Sequence, residues 1–262
     1  MNTKLSGARL VLVPISRVGK NYLPYVEYLD HRIIKYIDFA PAAYLPDTDA
    51  PGLTTSSDLF ITIMNETGTV ETHRNLPLER LDYQQTIGIR QPLFQKINLA
   101  ASYIDCQDPA AVGKVAALLC WYDLPEYSQR NTTTTLTTDA FSVSIDRIDR
   151  YNPFPDVDRM TGKRFRRLLL GVPTTTPDMQ PGVAQADLAN VYVTLQKGAY
   201  RILDNCPVAL LYQIAMLEKS EFQNIVFDFE SSYISIGGAG SYPTPSDYVG
   251  KSVFFNAQYE AQ

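Results

Sequence analysis

Apolar and polar residues alternate at period two along most of the chain. ARLVLVPI (8–15), LFITIM (59–64), AFSVSIDRI (140–148), NIVFDFESSYISI (224–236) and SVFFNAQYEA (252–261) are rich in Val, Ile, Thr, Tyr and Phe, and Gly, Pro, Asn and Asp separate them. Alternation sends successive side chains to opposite faces of an extended chain, so these segments predict strands of half-buried sheet. About fifteen strands with Gly/Pro turns predict a sandwich or barrel rather than alternating strands and helices. Helical spacing occurs once in each half. Asn205 can cap and Pro207 can occupy the first turn of VALLYQIAMLEKSEF (208–222), and Asn75-Leu-Pro77 opens a shorter counterpart, LERL.

The pattern is written twice. Residues 112–123 read VGKVAALLCWYD and residues 249–260 read VGKSVFFNAQYE. Between these ends the matches keep their order. Arg32 and Pro41 answer to Arg164 and Pro173 at an offset of 132, and Pro51-Gly52 answers to Pro181-Gly182 at 130. LFITI (59–63) matches VYVTL (191–195), with Thr62 over Thr194. Asn75-Leu-Pro77 meets Asn205-Cys-Pro207, Ser102-Tyr103-Ile104 meets Ser232-Tyr233-Ile234, and the closing VGK sits at 137 after an insertion at GGAGSYPTPSD. Collinear anchors with small insertions describe tandem duplication of a unit of roughly 130 residues. The expected division is 1–126, a polar Thr-rich linker at 127–138, and 139–262. Each unit then holds about eight strands and one short helix, the count of a jelly roll, which is a Greek-key sandwich of two four-stranded sheets. Long Pro-rich loops at 41–57 and 173–189 are expected at the outer surface or at seams between chains.

Composition narrows the function. With 23 basic and 28 acidic residues the net charge is −5, and no run of five like charges occurs, so direct nucleic-acid binding is not expected. Cys106, Cys120 and Cys206 lie in apolar settings and read as buried thiols of a chain made in a reducing cytoplasm. Met1-Asn-Thr-Lys leads into no long apolar run, so neither a secretory signal nor a membrane span is expected, and the sequons at Asn65 and Asn131 are expected to stay unmodified.

Candidate chemistry falls away on inspection. GKS (250–252) resembles the tail of a phosphate-binding loop, but Pro245 stands where its first Gly belongs and a strand pattern follows where a helix is needed. Asp156-Val-Asp158, followed by Met160 and Thr161-Gly162, lacks a third oxygen ligand at the right spacing and the closing Glu of a calcium loop, and its Gly is misplaced. His31 and His73 are the only histidines, without metal-ligand spacing. Asp228 and Glu230 sit two apart on one expected strand face, where a carboxylate pair is ordinarily solvated. The 17 Tyr and 11 Phe are spread over both halves, as core and subunit contacts require. No catalytic, cofactor-binding or metal-ligating residue is assigned.

A jelly-roll unit duplicated head to tail, with a similar Pro-rich loop and an Asn-x-Pro entry in each copy, resembles the double jelly-roll major capsid proteins of tailless, icosahedral, membrane-containing bacteriophages of the tectivirus, corticovirus and finnlakevirus type. The resemblance runs from about residue 8 to the C-terminus and rests on architecture and repeat order, without an invariant signature motif. It implies a structural shell protein and no enzyme. Three chains would close into a pseudo-hexameric capsomer over an internal lipid membrane, with penton and minor capsid proteins as further partners and the virion as its place. A tail of about seven residues before the first strand departs from members that anchor in the membrane by a long N-terminal helix. The alternative from another class is a carbohydrate-binding or carbohydrate-active protein on two sandwich units.

Overall fold

A computed structural model describes residues 6–30, 32–82, 93–123, 136–148, 151–155, 160–163, 165–171, 180–209, 211, 226–237 and 245–260. The chain is all-β and divides into two compact units: Ala8–Leu45 with Asp49–Asp123, and Leu124–Gln262 with the short segments Met1–Gly7 and Pro46–Thr48. The linker expected at 127–138 falls almost wholly outside the described residues.

The first unit contains β1 (Ser6–Pro14), β2 (Gly19–Tyr22), β3 (Ile34–Phe39), β4 (Leu59–Asn65), β5 (Glu71–Pro77), β6 (Ile97–Cys106) and β7 (Val115–Asp123). They form two sheets, in the orders β3-β7-β1 and β2-β6-β4-β5. Leu93 and Gln95 add a short fourth run beside β3, through Leu93 N–H to the Lys35 carbonyl at 2.8 Å and a reciprocal Ile34–Gln95 pair at 2.9 and 3.2 Å. In chain order, this run included, the strands cross from one sheet to the other at every step except the β4–β5 hairpin, as the Greek-key winding of a jelly roll requires.

The second unit repeats this with β8 (Leu136–Ser144), β9 (Asn152–Pro153), β10 (Phe165–Gly171), β11 (Val191–Lys197), β12 (Tyr200–Pro207), β13 (Tyr233–Ile236) and β14 (Ser252–Glu260). Its orders, β10-β14-β8 and β9-β13-β11-β12, are those of the first unit with each strand advanced by seven. The register agrees in detail. Thr62 lies opposite Tyr103, and Thr194 opposite Tyr233. Ile34 lies opposite Tyr122, and Phe165 opposite Tyr259, each followed at once by a bulge. This pairing aligns β3 with β10 one residue short of the spacing that Arg32 and Arg164 suggest.

Equivalent core positions carry different side chains. Val11, Leu23, Ile34, Ile97, Leu99 and Leu118 are buried in the first unit. Their counterparts are Phe141, Phe154, Phe165, Phe227, Phe229 and Phe255, which are buried as well. These phenylalanines pack against one another, Phe165 and Phe227 stacking at 4.6 Å and Phe141 and Phe255 at 5.2 Å. At these six positions one strand order thus holds aliphatic side chains in one copy and phenylalanines in the other. Burial of apolar area drives both, so the fold depends on which positions are apolar more than on which residue fills them.

Asn75 and Asn205 do not cap helices. Both lie inside strands, β5 and β12, with φ of 48° and 50°. Asn tolerates this left-handed conformation better than most residues, and a neighbouring hydroxyl fixes it. Thr62 Oγ1 accepts from Asn75 N–H at 3.2 Å, and Thr194 Oγ1 accepts from Asn205 N–H at 3.0 Å. A single 3₁₀ turn, Leu78–Leu81, follows Pro77 in the first unit. In the second, most of 208–222 lies outside the described residues.

Candidate functional site

The features shared by both units are hydrogen-bonded brackets that hold strand ends. Asn21 Oδ1 accepts from the Ser16 and Arg17 amides at 2.9 and 3.3 Å, and its Nδ2 donates to the Arg17 carbonyl at 2.9 Å. Asn152 does the same with Asp146 and Arg147, at 2.9, 3.2 and 2.9 Å. Ser102 Oγ donates to the Asn98 carbonyl and accepts from Met64 N–H, while Ser232 Oγ donates to the Asp228 carbonyl and accepts from Gln196 N–H. Each bracket satisfies backbone groups where a strand bends or ends, so its polar residue is fixed by the fold.

The two VGK segments are also brackets. Gly113 and Gly250 take φ of 87° and 83° and donate to the carbonyls of Ile15 and Ile145. Lys251 Nζ lies 4.0 Å from Asp187, and Ser252 opens β14, so a strand follows Gly250 where a phosphate loop needs a helix.

The loop at 41–57 is less exposed than its composition suggests. Ala42, Leu45, Pro46, Gly52 and Leu53 are buried. Ala42 N–H donates to Leu53, Gly52 N–H to Ala43, and Leu53 N–H to Val115, while Val115 N–H donates to Pro51. Apolar residues at both ends of a Pro-rich loop give it something to bury, and the backbone bonds tie it to the start of β7. Val183 and Ser252 make the equivalent tie, but 172–179 lie outside the described residues.

Asp228 and Glu230 are not on a strand face. Asp228 precedes the 3₁₀ turn Phe229–Ser231, and its Oδ2 accepts from Gly198 N–H at 2.8 Å, while Glu230 is exposed. Phe227 and Phe229 reach the core, and the turn between Asp228 and Ser232 breaks the alternation. His73 is half-buried and lines a small apolar cavity with Ile37, Ile61, Ile63, Leu76, Leu81 and Leu93, with no partner for Nδ1, and burial pushes its pKa below the usual imidazole range. His31, Asp156, Asp158 and Asn131 lie outside the described residues. Asn65 closes the β4–β5 hairpin, its Oδ1 accepting from Thr67 Oγ1, Thr69 N–H and Val70 N–H. Cys106, Cys120 and Cys206 are buried free thiols, and burial pushes Cys120 up to about 12. Among the described residues no group of three or more His, Cys, Asp or Glu side chains converges, and no helix is long and apolar enough to cross a membrane.

Sequence reading missed one pair of surface clusters. In the first unit Lys20 Nζ lies 4.2 Å over the Tyr103 ring, and Tyr22 meets that ring edge-on at 5.9 Å. At the same place in the second unit the Tyr151 ring stacks on Tyr233 at 4.0 Å and 29°. The ion pair on the adjoining strand is reversed: Glu71 and Arg74 in β5 stand where Arg201 and Asp204 stand in β12. The repeat offset of 130 relates these charged positions, so the signal was present in the sequence, but only proximity shows that they belong with the tyrosines.

No protein-family model matches the chain, and no curated protein matches it. Among solved structures it is similar to the crystal structure of the major capsid protein P2 from bacteriophage PM2, with 13% sequence identity, a TM-score of 0.28 and 96% of each chain covered.

Proposed function

We propose that the chain is the main building block of an icosahedral viral shell. The observation that supports this reading is the duplication of a jelly-roll unit with the same strand order, register and bend-fixing brackets in both copies. A single unit reaches a six-cornered tile only as a hexamer, whereas a chain carrying two reaches it as a trimer. Residues 1–126 and 139–262 supply the two corners of each chain, and the expected linker at 127–138 joins them as far as Leu136, where β8 already begins. Contacts within the trimer are large and permanent, of order 2,000 Å² or more per pair, and those between trimers are smaller and more polar, so that misplaced tiles can leave. The shell stands over a lipid membrane, with penton and minor capsid proteins completing it. The chain is made in the host cytoplasm and works in the virion. It touches no nucleic acid directly and needs no catalytic group, cofactor or metal.

Light scattering on purified protein at micromolar concentration tests the reading. The expected mass is that of three chains, and particle images should place the chain in a closed shell. A stable monomer, or particles that carry it elsewhere, would overturn the proposal.

A further inference from the structure

We propose that the second unit carries a saccharide-binding platform centred on Tyr151, which takes a neutral pyranose ring. The duplication acts as an internal control. The brackets of Asn21 and Asn152, and the pairing of Thr62 with Tyr103 and of Thr194 with Tyr233, fix two equivalent places in the fold. In the first unit a flexible ammonium, Lys20, occupies the space over the inner tyrosine. In the second that space holds Tyr151, stacked on Tyr233 at 4.0 Å with the ring planes 29° apart, and 56% exposed. Tyr233 beneath it is nearly buried and interacts with Thr194 and Tyr151 through its hydroxyl. One face of the outer ring is therefore held against a fixed partner, and the exposed part of the ring is presented in a set orientation. Tyr22, Tyr25 and Tyr200 are exposed as well, but Tyr151 has one face packed on another ring, and a ring held in this way is a ready support for the C–H face of a sugar.

The polar groups beside the stack select the ligand. Arg201 is 43% exposed and lies near enough to interact with both phenols, and it pairs with the buried Asp204 carboxylate at 2.8 Å. The carboxylate offsets the guanidinium charge, so the pair offers hydrogen bonds without a net charge. That suits vicinal hydroxyls better than a phosphate or a sugar acid, which would need an unneutralised cation. The chain's net charge of −5 also disfavours a polyanion. The first unit has Glu71 and Arg74 in these places, with Arg74 more exposed and no stacked pair, so the platform belongs to the second unit alone. The proposal does not depend on whether the chain builds a shell.

The test is saturation-transfer NMR on the purified chain with millimolar methyl glycosides of glucose, galactose, mannose and N-acetylglucosamine, followed by titration of those that respond. At least one neutral hexopyranoside should bind. Tyr151→Ala should weaken it about tenfold or more, whereas Tyr151→Phe keeps the stack and should stay within about threefold. Arg201→Gln should weaken binding without abolishing it, and Lys20→Ala, at the equivalent place in the first unit, should leave it unchanged. Circular dichroism and the thermal midpoint it gives report whether each variant is folded; if Tyr151→Ala is not, Arg201→Gln and Lys20→Ala decide the matter. The proposal is overturned if no neutral glycoside gives a transfer signal, if the same sugar binds equally to the folded Tyr151→Ala chain, or if only glucuronic acid or nucleoside monophosphates bind.

Discussion

Replacing Gly52 by Ala should unfold the first unit far more readily than its place in a Pro-rich loop suggests. A Cβ built on Gly52 would lie 2.0 Å from the Ala42 carbonyl oxygen, 3.0 Å from its carbon and 3.1 Å from Leu45 Cγ. The nearest obstacle is backbone, so no rotamer change relieves it. To make room the loop must part the Ala42–Leu53 and Gly52–Ala43 hydrogen bonds, of 3.0 and 2.8 Å. Two such bonds contribute about 1 kcal/mol each, and forcing a methyl into a packed site costs a further 1–3 kcal/mol or so, giving about 3–5 kcal/mol. Gly113→Ala is the control. Its φ of 87° makes Ala strained, but nothing lies within 4 Å of the added Cβ, so only a backbone cost of about 1 kcal/mol is expected. Guanidinium unfolding followed by the fluorescence of Trp121, the only tryptophan and a residue of β7, measures both. A midpoint shift for Gly52→Ala no larger than that for Gly113→Ala would refute the claim that the loop is pinned to the barrel.

Trp121 Nε1–H donates to the buried Asp38 carboxylate at 2.7 Å, so Asp38→Leu should cost about 1–3 kcal/mol and shift the emission of Trp121, with Asp38→Asn milder in both. Burial favours neutral His73 in the fold, so the unfolded chain takes up its proton first; stability should decline as pH falls below the ordinary imidazole range, and His73→Leu should flatten that decline in pH-dependent melts. The three thiols should react slowly with a disulfide reagent at pH 8, Cys120 slowest of all, and all three should react at once in denaturant. In the second unit, Phe255→Ala removes a fully buried ring that packs on Phe141 and Phe154, and should cost about 3–5 kcal/mol in guanidinium unfolding followed by circular dichroism, since Trp121 lies in the other unit.

The alternation of apolar and polar residues determined that the chain is all-β, because period two can bury one face only of an extended strand. The collinear anchors determined that the pattern runs twice, and Thr62 with Thr194 and Ser102 with Ser232 hold equivalent hydrogen bonds because a bend in a strand needs the same hydroxyl in either copy. Other matters depended on neighbours distant in sequence. Asn-x-Pro reads as a helix entry by local preference, yet Asn75 and Asn205 sit within strands, because Thr62 and Thr194 across the sheet stabilise a left-handed residue there. The composition of the Pro-rich loop at 41–57 points to the outer surface or a seam between chains, and only the packed structure shows that Gly52 allows it to close against Ala42 and pair with Val115. The alternation through FDFESSYISI reads as one strand, yet hydrogen bonds of Asp228 and Ser232 fold its first part into a turn. The exchange of aliphatic side chains for phenylalanines at six core positions left the strand order unchanged, since apolar area is what both bury. The stack of Tyr151 on Tyr233 beside Arg201 lay hidden for a related reason: its members come from three segments, and period, propensity and spacing describe one segment at a time, whereas only the packed sheet brings the three together.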